Sequence, residues 1–292
     1  MMSVSTGETL EKARQFILLN ARLLERQLFA FLFEGGKREP ALLTLRAYQN
    51  EDGGFGNALE PDKRDPHSQP VDIEIAFKSL DWLDAFDDPM VTRACDYLMT
   101  ITTPEGGVPF ALPTVNAYPR APWWTVDANP PASLNPTASL AGLLLKHGIK
   151  HPWLERASAF CWQAIPATET REFHDIIPIL TFLQYNPDRR RAEPELQRLA
   201  ARVAEPGVVA LDPQAEGYVH KPLEWASTPD SYLRNNFSDE TISQHLAALA
   251  ARQQADGGWP LSWDTISPAV EMEWRGRVTL EALMTLKAYE RL

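Results

Sequence analysis

The stretch Gln49-Asn50-Glu51-Asp52-Gly53-Gly54-Phe55 is matched late in the chain by Gln253-Gln254-Ala255-Asp256-Gly257-Gly258-Trp259. Both read Q-x-x-D-G-G-aromatic. Each closes a run of helical periodicity and is followed by a loop and another helix. A weaker copy, Glu105-Gly106-Gly107-Val108 with Thr102 in the Gln position, lies between them, and Glu216-Gly217-Tyr218 reads as a fourth, decayed one. Such self-similarity comes first in the reading, because a missed repeat misassigns the whole fold. The Gly pair lets the chain leave a helix through backbone conformations closed to other residues. The acid can accept hydrogen bonds from N–H groups of the turn. The Gln can bridge to the neighbouring repeat and the aromatic can plug the gap between helices, so the motif predicts stapled helical repeats.

Towards the N-terminus, Leu10, Ala13, Phe16 and Ile17, then Leu24, Leu28, Phe31 and Leu32, keep an i, i+3/i+4, i+7 rhythm until Gly35-Gly36 stops it. This predicts one long helix or two consecutive ones. Further helices are predicted over Glu39 to Tyr48, Val71 to Phe86, Met90 to Thr100, Pro136 to His147 and Pro152 to Ala164. The series continues with Phe173 to Gln184, Pro194 to Val203, Glu240 to Gln253 and Val278 to Leu292, and no strand pattern interrupts it. Pro70, Pro136, Pro152 and Pro194 lie at or just before first turns, where the missing N–H is harmless, so they mark helix starts. Pro178 falls inside a helical run and predicts a kink or a later start. The linkers Glu60 to Gln69, Glu105 to Leu134, Pro206 to Asp239 and Pro260 to Gly276 are long for a compact domain. Because Trp123, Trp124, Trp225 and Trp263 give them apolar area, they are expected to be ordered loops over one face of a helical scaffold.

The 292 residues are 44% hydrophobic and 23% charged, the profile of a soluble globular protein with a sizeable core. A net charge of −11 leaves no electrostatic footprint for phosphate backbones or anionic surfaces, so nucleic acid is not an expected partner. No run approaches ~18 apolar residues, and Met1 to Thr6 shows no basic segment followed by an apolar one. The expectation is a cytoplasmic protein without a membrane span. Cys95 and Cys161 sit in helix-like stretches without a second Cys at metal-ligand spacing, which reads as two buried thiols.

The repeated motif resembles the QW-type repeats of the terpenoid cyclase and protein prenyltransferase superfamily. Gln49 to Leu80 is especially similar to a prenyltransferase β-subunit repeat, with a D-G-G-F-G turn, a loop and an apolar helix. The resemblance implies an all-α fold, an α/α toroid of about five helical hairpins, with residues 1–292 as one domain. It also implies a small-molecule ligand, an isoprenoid, in an aromatic-lined central cavity. The family's decisive chemistry is not carried over. There is no D-x-D-D acid motif, the nearest fragment being Asp72-Ile73-Glu74. The acidic run Asp81 to Asp88 only superficially resembles D-D-x-x-D and reads as a solvated turn. Neither Cys95 nor Cys161 has an acid two residues before it, as a prenyltransferase zinc site requires. Cofactors therefore stay open.

In such a toroid, the loops entering inner helices converge on one mouth of the cavity. The first of these, Asn57 to Glu74, carries Asp62, His67, Asp72 and Glu74 as catalytic candidates, for acid/base chemistry or for a metal held by His67 with carboxylates. The same residues also fit a capped helix start with solvated charges. The second loop offers Trp124 and Asp127, then Asn135, which fits an N-cap before Pro136. The third offers His174 beside Asp175. The fourth offers Glu273 and Arg275, the latter able to clamp an anion or to pair with Glu271. A carbohydrate-active toroid with two carboxylates and Trp platforms, taking a sugar, is the alternative enzyme class. A non-catalytic binding or scaffold protein is the other.

Overall fold

The computed structural model describes residues 6–292, so the reading of Met1 to Thr6 falls almost wholly outside the described residues. Among those residues there are twelve α-helices and no strand, only three isolated bridges between loop residues. No described helix is long and apolar enough to cross a membrane. The chain divides into two compact units, residues 38–199 and, together, residues up to 37 with residues 200–292.

The first unit holds α3 (Glu39–Arg46), α4 (Pro70–Trp82), α5 (Pro89–Ile101), α6 (Leu134–Lys146), α7 (Pro152–Ala164) and α8 (Phe173–Tyr185), and most of α9 (Arg189–Val203). Two kinds of helix alternate. Val71, Ile73, Ala76, Phe77 and Leu80 of α4 are buried almost all round, as is α6. In contrast, α5 buries one stripe, Met90, Val91, Ala94, Cys95, Tyr97 and Leu98, at helical spacing. The row α4–α6–α8 packs inside, with α5 and α7 against it. Gly142 explains how close α6 and α8 come, since a Cβ there would lie 2.6 Å from the Thr181 backbone.

The second unit holds α1 (Thr6–Asn20), α2 (Leu23–Glu34), α10 (Pro222–Trp225), α11 (Asp239–Ala251) and α12 (Pro268–Ala288). The N-terminal periodicity resolves into two helices, separated at Ala21-Arg22. Here α12 packs on α1 and α2, and α11 packs on α10 and α12. The last helix starts ten residues before the expected Val278. Ser267 caps it by accepting from Val270 N at 3.3 Å, and Pro268 follows at the first turn. Gly276 therefore lies inside a helix, where its missing Cβ makes room for Ala21.

Two prolines behave differently from expectation. The Phe173–Tyr185 helix runs through Pro178 without a break. Pro178 is itself buried, and as the sixth residue of the helix it withdraws only the donor that would serve the His174 carbonyl in the first turn. Similarly, α9 begins at Arg189 and contains Pro194, because Asp188 caps it, its Oδ1 accepting from Arg191 N at 3.2 Å. The long linkers are ordered, with 3-10 turns at Pro113–Ala117, Pro122–Trp124 and Tyr232–Asn236.

Three of the four repeated turns share one geometry. Gln49 Nε2 donates to Gly53 O at 2.8 Å and to Met90 O of α5 at 3.0 Å, and Gln253 Nε2 donates to Gly257 O and to Thr9 O of α1, both at 2.9 Å. Asp52 and Asp256 each accept from the N–H two residues on, at 2.9 and 3.0 Å. Gly53, Gly106 and Gly257 take φ of 93°, 99° and 94°. At each, an added Cβ would run into a backbone carbonyl of the next helix, that of Arg93, Arg156 or Lys12. Thr102, in the Gln position of the weak copy, accepts instead from Trp153 Nε1 at 3.0 Å. The turn at Glu216-Gly217-Tyr218 does not belong with these, because Gly217 has open space around it.

Candidate functional site

The D-G-G-F-G turn opens directly into a cluster of buried polar side chains. Gln69 N donates to Phe55 O at 2.8 Å, so the chain from Gly56 to Ser68 leaves and returns to one place as an Ω-loop before α4. Gly56 is required there because a Cβ would overlap the carbonyls of Pro66 and His67. The loop is pinned to the following long loop by Arg64 N to Pro119 O at 2.9 Å and Ala121 N to Asp62 O at 2.8 Å.

Glu60, Asp62 and Lys63 of the loop and Asp72 in the first turn of α4 are all buried. The Lys63 ammonium bonds Asp72 Oδ2, and Asp72 Oδ1 accepts from Glu60 N at 2.7 Å. Burial pushes the Asp72 carboxyl up, against the opposing pull of Lys63. Burial also pushes Glu60 up to about 8, opposed by Lys63 and reinforced by Asp72 and Asp62. Glu60 therefore carries its proton at neutral pH, and its Oε2 is buried without a hydrogen-bond partner. The arrangement is a buried carboxylic acid beside an ion pair, a carboxyl that burial disposes to keep its proton. The Lys63 charge and an Asp62 N–H bond favour its carboxylate form.

A second polar constellation lies on the same loop. Asp65, wholly buried, accepts from His67 Nδ1 at 2.7 Å, His67 N at 2.9 Å, and Gln69 Nε2 and Thr114 Oγ1 at 2.8 Å each. Burial pushes Asp65 up, but these hydrogen bonds together win and hold it below the ordinary carboxylate range.

The expected site residues are distributed as follows. Asp62 and Asp72 are in the buried cluster, whereas His67 is exposed and engaged with Asp65. Glu74 is buried and paired with Lys78 at 2.9 Å. The metal set of His67 with Asp62, Asp72 or Glu74 is not assembled. Among the described residues no group of three His, Cys, Asp or Glu is placed to hold a metal ion. Trp124 is buried and stacked on Phe110, ring centroids 4.7 Å apart, and it is Trp123 that is exposed. Asp127 and His174 are exposed, His174 lying edge-on to Phe173. Asn135 keeps non-helical backbone angles ahead of Pro136, consistent with a helix start there, and the Asn135-Pro136 bond is cis.

Glu273 is half-buried on α12. Arg275 is buried and pairs with Asp256 at 2.8 Å, not with Glu271. It also donates to Trp259 O and lies over the Phe16 ring, 4.6 Å from its centroid. It is thus bound into the repeat turn. The acidic run is structural as well: Asp88 caps α5 and Asp81 pairs with Lys146 and His147. Cys95 and Cys161 are buried and free, with burial pushing Cys95 up to about 12 and Cys161 higher.

Sequence reasoning did not single out Glu60, Lys63, Asp65 or Gln69. The available signals were the Asp-Pro-His spacing, which suits an Asx turn onto a histidine, and a lysine nine residues before Asp72 in a loop otherwise rich in acids.

Helices of this kind in this order define an all-α, terpene cyclase-like α/α fold. The similar solved structures include a protein from Actinoplanes, at 16% identity and TM-score 0.55, covering 98% of this chain and 100% of that one. The type II terpene cyclase MstE from Scytonema is also similar, at 14% identity and TM-score 0.54, covering 98% and 99%. So is its R337A variant in complex with its substrate geranylgeranyl dihydroxybenzoate, at 14% and 0.53, covering 98% of each chain. At these identities the likeness is one of fold. No protein-family model matches the chain, and neither does any curated protein.

Proposed function

We propose that this chain is a terpenoid cyclase-like protein that takes an isoprenoid ligand, with Glu60 as its proton donor. The observation that carries the proposal is a buried carboxyl, Glu60, whose Oε2 has no hydrogen-bond partner and which lies beside the Lys63–Asp72 pair, on a fold shared along nearly its whole length with MstE, whose substrate complex holds a geranylgeranyl chain. Cyclisation begun by protonation needs an acid that keeps its proton until an alkene arrives, in surroundings free of water. Glu60 suits that role better than Asp72 or Glu74, since Asp72 is bonded to Lys63 and Glu74 to Lys78.

The three matching turns support reading the motif as QW-type repeats, with residues 1–292 acting as one domain. Two buried thiols make a prenyltransferase-like zinc chemistry the weaker branch. The acidic balance weighs against a nucleic-acid partner, and a small-molecule partner and a cytoplasmic setting belong to the same proposal. A second reading, retention of an isoprenoid without turnover, is favoured by the ion pairs that occupy Asp72 and Glu74.

The test is incubation with geranylgeranyl dihydroxybenzoate, with binding followed by calorimetry and products by mass spectrometry and NMR. The cyclase reading expects binding in both the parent protein and Glu60→Gln, and a cyclised product only from the parent. Binding without product in either supports the second reading. Failure to bind this ligand or free geranylgeraniol overturns both.

A further inference from the structure

The geometry points to a second proton-transfer site on the Ω-loop: Asp65 orients His67 as a general base whose Nε2 accepts a proton from a small, flat, weakly acidic molecule. The Asp65 carboxylate is wholly buried and takes four hydrogen bonds, two from His67 itself, one from Gln69 and one from Thr114. A carboxylate so supplied with donors acts only as an acceptor, so the bond at 2.7 Å to His67 Nδ1 fixes the proton on that nitrogen. The lone pair of the neutral ring is then on Nε2. The His67 side chain is 56% exposed, which leaves the ring accessible to a small molecule.

The support behind this pair is more extensive than a local turn needs. Gln69, which holds Asp65 Oδ2, is itself clamped by Leu112, whose N–H donates to Gln69 Oε1 at 2.7 Å. The Pro66 carbonyl accepts from Asn50 Nδ2 at 3.0 Å, and Gly56 lets the His67 backbone lie directly on the repeat turn. Tyr118 flanks the imidazole, ring centroids 5.7 Å apart and the planes tilted by 56°, so a molecule reaching Nε2 would lie beside an aromatic ring. A carboxylate that orients the imidazole and is itself held in place by further hydrogen bonds is the arrangement that makes histidine an effective base.

The site is independent of Glu60. The test does not depend on the cyclase reading.

The probe is 5-nitrobenzisoxazole, which loses its ring C–H proton to a base while the N–O bond breaks, giving a coloured cyanonitrophenolate and protonated imidazole. The expected result is a rate above buffer that His67→Ala lowers about tenfold or more, that added imidazole restores, and that Asp65→Asn lowers by favouring the wrong tautomer. Long-range nitrogen NMR of the parent protein should show His67 protonated at Nδ1 alone, a readout unaffected by any folding defect in Asp65→Asn. No rate above buffer, a rate unchanged in His67→Ala, a loss that imidazole does not restore, or an Nε2–H tautomer would each overturn the inference.

Discussion

Substituting Gly257 by Ala separates backbone strain from helix docking when it is compared with the same change at Gly217. Both glycines have positive φ, 94° and 84°. Each alanine therefore meets a strain of about 1–3 kcal/mol, and that contribution largely cancels between them. What remains is the surroundings. Gly217 has nothing within 4 Å of an added Cβ, whereas at Gly257 the Cβ would overlap the Lys12 carbonyl of α1. Backbone cannot swing aside as a flexible side chain can, so α1 and the turn must separate.

Forcing a group into packed surroundings costs about 1–3 kcal/mol. Loss of the Gln253 Nε2 to Thr9 O bond adds about 1 kcal/mol. Gly257→Ala should therefore be less stable than Gly217→Ala by about 2–4 kcal/mol, a large share of a total near 5–15 kcal/mol. Urea unfolding followed by tryptophan fluorescence reads the difference, with the wholly buried Trp259 of the same turn as a local reporter. Two variants equal within about 0.5 kcal/mol would refute the docking argument.

Three further outcomes are expected. Glu60 titrates near 8 when folded against an ordinary 4.5, so the native state keeps a proton that the unfolded chain releases. Its contribution is complete at low pH and is lost as pH rises from about 4.5 to about 8. Glu60→Gln should therefore be nearly neutral to stability near pH 5 and stabilising by a few kcal/mol above pH 8, and parallel pH dependences in urea unfolding would count against a buried neutral acid. Lys63→Met leaves Asp72 buried without its ammonium and should cost about 3–5 kcal/mol, with Lys63→Met/Asp72→Asn recovering at least about half. A double variant as unstable as the single one would show that the pair is not what holds the loop. Cys95 and Cys161 should react with a disulfide reagent only as the protein unfolds, and prompt labelling of native protein would contradict their burial.

The helical repeats were legible because their grammar is local. Gly at positive φ, an acid two residues before an N–H and a Gln closing the turn all lie within seven residues, and the pattern returns intact at Gly257. The same logic failed at Glu216-Gly217-Tyr218, where the turn has its glycine but no helix behind it. Gly276 misled in the opposite sense. A glycine reads as a helix stop, yet here it is an interior residue chosen for contact with Ala21, and only Ser267-Pro268 marked the true start.

The candidate site was half legible. The loop from Asn57 to Glu74 stood out by its carboxylate density, and Asp62, Asp72 and Glu74 are buried there. Which carboxyl keeps its proton depends on where the ammonium goes. Lys63 reaches Asp72, nine residues on, and leaves Glu60 neutral, a partition set by the fold of the Ω-loop. Arg275 shows the same dependence, since its partner Asp256 comes from a turn nineteen residues earlier.

The most direct test of a proton donor at Glu60 is a pH titration of its side-chain carbon by NMR in carbon-13-labelled protein, assigned by the signal missing from Glu60→Gln. The account predicts a protonated carboxyl at neutral pH that titrates near 8. A signal already ionised at neutral pH, titrating near the ordinary 4.5, would contradict it.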